Sequence, residues 1–111
     1  MQIHLNQNDI GGTLIRDEER YRLLDNNTLK HLVLSQTQLR AWQSTRGHEH
    51  KGQEEVYFFI QGSGRMIVGD SEFAVSAGSV VLIPDGAFHR VINHTNADLI
   101  FNCVFEGSRK H

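Results

Sequence analysis

The chain has 111 residues, with 11 Lys and Arg against 13 Asp and Glu, for a formal net charge of −2. That length closes a single core and not two. It carries no basic stripe, which excludes the electrostatic footprint of nucleic-acid binding, and its one cysteine, Cys103, excludes an internal disulfide.

Residues 1–8 contain neither a cationic start nor an apolar run, so no secretory signal and no membrane partner is expected, and the reading is cytoplasmic. Residues 1–28 are polar and mixed, with turn signals at Asn6-Gln7-Asn8-Asp9, Gly11-Gly12 and Asp25-Asn26-Asn27, and have room only for short strands. The run from Asp17 to Leu24 lacks a sustained apolar stripe and reads as a solvated segment leading into a strand. From Leu29 to Leu39 the pattern turns β, centred on Leu32-Val33-Leu34.

Val56-Tyr57-Phe58-Phe59-Ile60 is a run of five β-favouring residues, as expected of a strand covered on both faces. If Glu55 points inward, parity sends Tyr57 and Phe59 inward too and turns Val56, Phe58 and Ile60 outward. Consecutive hairpins are expected from the turns Gln61-Gly62-Ser63-Gly64 and Gly69-Asp70-Ser71, which flank Arg65-Met66-Ile67-Val68 and Glu72-Phe73-Ala74-Val75. Val80-Val81-Leu82-Ile83 follows the break at Gly78 and ends at the turn Pro84-Asp85-Gly86. His89 to Asn93 is a further strand, 94–98 a polar loop, Leu99 to Phe105 the last strand, and 106–111 a charged tail. Short strands at this spacing indicate an antiparallel sandwich or barrel in one domain.

The chemistry concentrates in Gly47-His48-Glu49-His50-Lys51-Gly52-Gln53-Glu54-Glu55. Side chains two apart share a strand face, so His48 and His50 can offer two imidazole nitrogens to one ion. Gly52 permits a bend that returns an acidic side chain, Glu54 or Glu55, over them. His89 brings a third imidazole after the Pro-Asp-Gly turn. Among the other polar residues, Tyr57 shares the inward parity and could donate a proton or orient a substrate hydroxyl. Arg46, Lys51, Arg65 and Arg90 are candidate anchors for an anionic substrate, Arg46 the best placed because it lies two residues from His48. Asn93 is read as capping the turn after its strand. Cys103 is read as a small apolar strand residue, and His4, His31, His94 and His111 as structural.

The spacings His48-x-His50-x4-Glu55-x6-Gly62 and Gly78-x5-Pro84-x-Gly86-x2-His89-x3-Asn93 resemble the two paired motifs of the cupins. The resemblance covers roughly residues 40 to 105 and departs once, where Trp42 stands six residues before His48 in place of the usual glycine. It implies an all-β double-stranded β-helix, or jelly-roll barrel, over 29–105, with 1–28 as part of the same domain and 106–111 as a tail. It also implies one divalent transition-metal ion (Fe, Mn, Ni, Zn or Co) on His48, His50, Glu55 and His89, the pattern favouring Glu55 over Glu54. A homodimer is implied as well, with the outward set Val56, Phe58 and Ile60 as its motive.

The stretch from Arg46 to Tyr57 is similar to small cupins described as mannose-6-phosphate-isomerase-like. On that resemblance the expected activity is a sugar or sugar-phosphate isomerase or epimerase, with Tyr57 as candidate catalytic group and Arg46 as candidate substrate anchor. The alternatives are an Fe(II) dioxygenase with an apolar lumen of Phe59, Phe88 and Val91, a carbon–sulfur or carbon–oxygen lyase on the same site, and a non-catalytic small-molecule-binding module.

Overall fold

The computed structural model describes residues 1–49 and 51–107. Nine strands follow in order: β1 (Thr13–Asp17), β2 (Tyr21–Asn26), β3 (Leu32–Leu39), β4 (Glu55–Gln61), β5 (Ser63–Val68), β6 (Ser71–Ser76), β7 (Val80–Ile83), β8 (His89–Ile92) and β9 (Leu99–Glu106). They form two antiparallel sheets, one ordered β1-β2-β3-β9-β4-β7 and the other β6-β5-β8. This is the antiparallel all-β arrangement that the turn spacing pointed to, in the jelly-roll form that the cupin resemblance implied.

Two expectations are corrected. The run from Asp17 to Leu24 is solvated only at its start: Asp17, Glu18 and Glu19 are exposed, but the run closes β1 and opens β2, where Leu23 and Leu24 are buried. Its apolar residues fall on both faces of a sheet covered on both sides, so no single stripe marks them. Nor does the Gly62 turn make a hairpin. β4 pairs with β7 and β9, and β5 pairs with β6 and β8, so Gly62 carries the chain from one sheet to the other. Gly62 has φ +86, and a side chain there would run into the Asp98 carbonyl, so both the angle and the space call for glycine.

The parity reading of β4 holds. Glu55, Tyr57 and Phe59 are buried, while Val56 and Ile60 are half-buried and Phe58 is exposed. Phe59, Leu39, Met66 and Leu99 fill the space between the sheets with almost no exposure, each contributing about 1.5–3 kcal/mol of apolar burial. On the far side of the large sheet, the N-terminal segment buries Ile10, and its Gln7 carbonyl accepts from Gln36 Nε2 at 2.9 Å.

Asn93 does more than cap a turn. Its Nδ2 donates to the carbonyls of Leu39, Arg40 and Ala97 at 3.1, 3.1 and 2.8 Å, while its Oδ1 accepts from the amide and hydroxyl of Thr95. One buried amide thus joins the end of β3 to the loop before β9. Trp42 takes φ +64 itself, so the left-handed turn survives without the glycine.

Candidate metal centre and ligand cavity

Residues 43–48 run beside β8, through hydrogen bonds from Thr45 N to Val91 O (2.9 Å) and between His48 and His89 in both directions (2.9 and 2.8 Å). The four residues from Thr45 to His48 oppose only three on β8, Val91 to His89. The surplus is taken up at Gly47, φ +89, where a Cβ would come 2.5 Å from the Phe88 ring. This places Arg46 and His48 on one cavity wall.

Glu55 opens β4 and His89 opens β8, so the two begin strands in different sheets. Their side chains nevertheless meet, with His89 Nε2 2.9 Å from Glu55 Oε2 and both groups buried. His89 Nδ1 lies 3.1 Å from the Ala87 carbonyl, and as an N–H it donates there. That bond leaves Nε2 as the nitrogen facing the carboxylate. A lone pair and a carboxylate at this separation are held by a positive charge, either a proton on Nε2 or a metal ion touching both. Ligands bonded at about 2.1 Å and at right angles to one another stand about 3 Å apart, so the pair fits neighbouring positions on one divalent ion. His48 is more exposed, with its ring centroid 6.2 Å from that of His89. His50 lies outside the described residues. Among the described residues no group of three His, Cys, Asp or Glu side chains is close enough to hold an ion, so the fit rests on the Glu55–His89 pair and the chemistry of the donors. Glu54, the other acidic candidate, is exposed.

Above the pair opens a cavity of about 260 Å³. Register explains its walls. Ser35, Cys103 and Tyr57 lie side by side across β3, β9 and β4, and Leu23, Thr37 and Phe101 form the adjacent row across β2, β3 and β9. Tyr57 stacks on Phe101 (centroids 5.2 Å apart, planes 15° apart) and meets His89 edge-on at 5.8 Å. It is therefore a rigid wall between the aromatic side and the imidazole. Arg46 reaches the cavity, as the sequence suggested.

The other three cations proposed from the sequence do not line the cavity. Arg90 donates to Thr45 O and Ser44 Oγ, Arg65 pairs with Glu72, and Lys51 is exposed and outside the lining. The apolar lumen expected from Phe59, Phe88 and Val91 is not formed. Phe88 is 40% exposed against Gly47, and Phe59 and Val91 are buried in the core without lining the cavity.

Several wall residues escaped sequence reasoning: Arg16, Glu18, Tyr21, Ser35, Thr37 and Phe101, together with a cavity position for Cys103. Ser35 and Thr37, two small hydroxyls on one face of a strand, were the one legible hint. Arg16 Nη1 donates to Tyr21 Oη at 3.0 Å, and that hydrogen bond is the main cause of an Arg16 pKa above its ordinary value.

The model of the cupin domain matches residues 39–105, more than half of the chain. The chain belongs to the cupin family. It is 32% identical over 57 residues to the oxalate-binding protein of Thermotoga maritima, an alignment covering 51% of this cupin and 47% of that protein. It spans about half the length of the curated relatives it matches. Among solved structures, a cupin-2 domain from Rhodospirillum rubrum superposes with TM-score 0.80 at 18% identity, over 100% of this chain and 78% of that one. The oxalate decarboxylase of Lactobacillus farciminis superposes with TM-score 0.76 at 23% identity, over 86% of this chain and 31% of that one. At these identities the superpositions speak for the fold alone.

Proposed function

We propose that this cupin holds one divalent transition-metal ion on His48, His50, Glu55 and His89 and acts as an isomerase or epimerase on a small, oxygen-rich substrate such as a sugar. The observation that supports this is the buried Glu55–His89 pair at the floor of a cavity with hydroxyl-bearing walls, Ser35, Thr37 and Thr45. An ion there would supply Lewis acidity to a substrate carbonyl. The chain's own residues do the rest. The hydroxyls of Ser35, Thr37 and Thr45 orient substrate hydroxyls, the Tyr57–Phe101 stack fixes one face of the carbon skeleton, and Tyr57 Oη moves the proton beside the carbonyl. Arg46 holds an anionic group at the mouth.

The deciding experiment incubates metal-loaded protein with a panel of aldoses and ketoses in deuterated water and follows the carbon next to the carbonyl. Deuterium incorporation that disappears in Tyr57→Phe is expected. No incorporation with any sugar sinks the isomerase reading.

A binding module without turnover is the second reading, favoured by the likeness to the Thermotoga maritima oxalate-binding protein. It predicts metal-dependent oxalate binding and no chemistry. The dioxygenase reading has lost its apolar lumen and is not pursued.

The working assembly is proposed to be a homodimer. Support comes from the open edge strand β7, where Val80 and Leu82 are 58% and 70% exposed, next to the exposed Phe58 of β4.

A further inference from the structure

β1 pairs Thr13 with Asp25 and Leu14 with Leu24, but then Arg16, not Ile15, with Leu23. Plain alternation from Thr13 would turn Ile15 toward the cavity and Arg16 away from it. The extra residue of this β-bulge advances the pattern by one, so the arginine joins Leu23 on the cavity face, where both line the wall. The hairpin carrying it is tied down. Arg40 pairs with Asp17 at 2.8 Å and also donates to the Glu18 carbonyl, while Arg16 is oriented by Tyr21 Oη. A bulge that exchanges an isoleucine for an arginine at a cavity wall re-aims a charge toward whatever the cavity binds.

We propose that Arg16, in addition to Arg46 at the mouth, recognises an anionic ligand in the cavity, selecting one that carries a carboxylate over its neutral counterpart; this rests on the metal-centred function proposed above. The guanidinium fork is matched to a carboxylate, and Tyr21 leaves most of its donors unused. Arg16 and Arg46 are offset in the lining by Glu18 and Glu55, so a bound divalent ion leaves the cavity net positive, which suits an anionic ligand over a neutral one. The segment responsible precedes residues 39–105, so the specificity comes from outside the stretch that defines the family.

The test is calorimetry on manganese-loaded protein with matched acid and neutral ligands, glucuronate against glucose and glycerate against glycerol. Metal uptake is measured separately in each variant. The wild type should bind at least one acid about tenfold or more tightly than its neutral partner, in keeping with a charge-assisted hydrogen-bonded pair. Arg16→Gln should remove that preference without altering manganese affinity, and Arg16→Lys should restore part of it.

An unchanged preference in Arg16→Gln, no preference for either acid in the wild type, or no binding of any acid by metal-loaded protein overturns the proposal and leaves the metal site standing. Failure of the protein to take up metal overturns the proposed function, and this inference with it.

Discussion

His89 Nε2 and Glu55 Oε2 lie 2.9 Å apart although their residues begin strands in different sheets. The pair therefore ties the sheets together at the cavity floor, and an ion bound there stabilises the fold as well as the site. Thermal melts of chelator-treated protein titrated with Mn(II), Fe(II), Zn(II), Ni(II) and Co(II) should rise with at least one of them. At a free concentration a hundred times the Kd, the gain is about 2.7 kcal/mol. Glu55→Ala and His89→Ala should each abolish the rise, and Glu54→Ala should keep it because Glu54 is exposed. A rise that survives both Glu55→Ala and His89→Ala would show that the ion binds elsewhere.

Asn93 should be among the costliest single positions. Asn93→Ala removes the one amide group that donates to the carbonyls of Leu39, Arg40 and Ala97 in a buried setting, with an expected loss of about 2–4 kcal/mol in denaturant unfolding. Asn93→Asp keeps the shape but cannot donate as an ionised carboxylate, so it should be no better than alanine. A loss below about 0.5 kcal/mol in either variant contradicts this account.

Trp42 poses the opposite case. It is 68% exposed and holds φ +64, an angle that is costly for any residue with a Cβ. Trp42→Gly gives up little burial and relieves the strain. The expected gain is about 0.5–1 kcal/mol, seen as a melting midpoint several degrees higher. Trp42 is absent from the cavity lining, so ligand affinity should not change. A lower midpoint would mean that the indole packs against something in solution, a partner subunit being the first place to look.

The proposed homodimer places the open outer face of β4 and β7 at the interface. Sedimentation at tens of micromolar should then give about twice 12.6 kDa, and Leu82→Lys with Val80→Lys should give the monomer with the fold intact. A wild-type monomer at that concentration removes the proposal.

How much of this was legible in the sequence follows from what is local. The inward turn of Glu55, Tyr57 and Phe59 was readable because the pleat alternates with a period of two along a single strand. The paired motifs and their glycines were readable because a left-handed turn needs a particular residue at a particular place, although Trp42 shows that the chain can hold such a turn without it. Residues 43–48 and β8 were readable only as separate pieces. Their antiparallel pairing, which sets Arg46 and His48 on the cavity, is a contact across more than forty residues of chain.

The rest was decided by pairing between strands far apart in the chain. Ser35, Cys103 and Tyr57 make one wall because β9 inserts between β3 and β4, which no local pattern announces. Arg16 faces the cavity because β1 gains one residue against β2, and a bulge is a property of the pair and not of either strand. Phe88 left the expected lumen because packing against Gly47 took precedence over its position in the motif. Local periodicity thus determined which residues lie on each strand face, while the tertiary register determined which of those faces meet around the ligand.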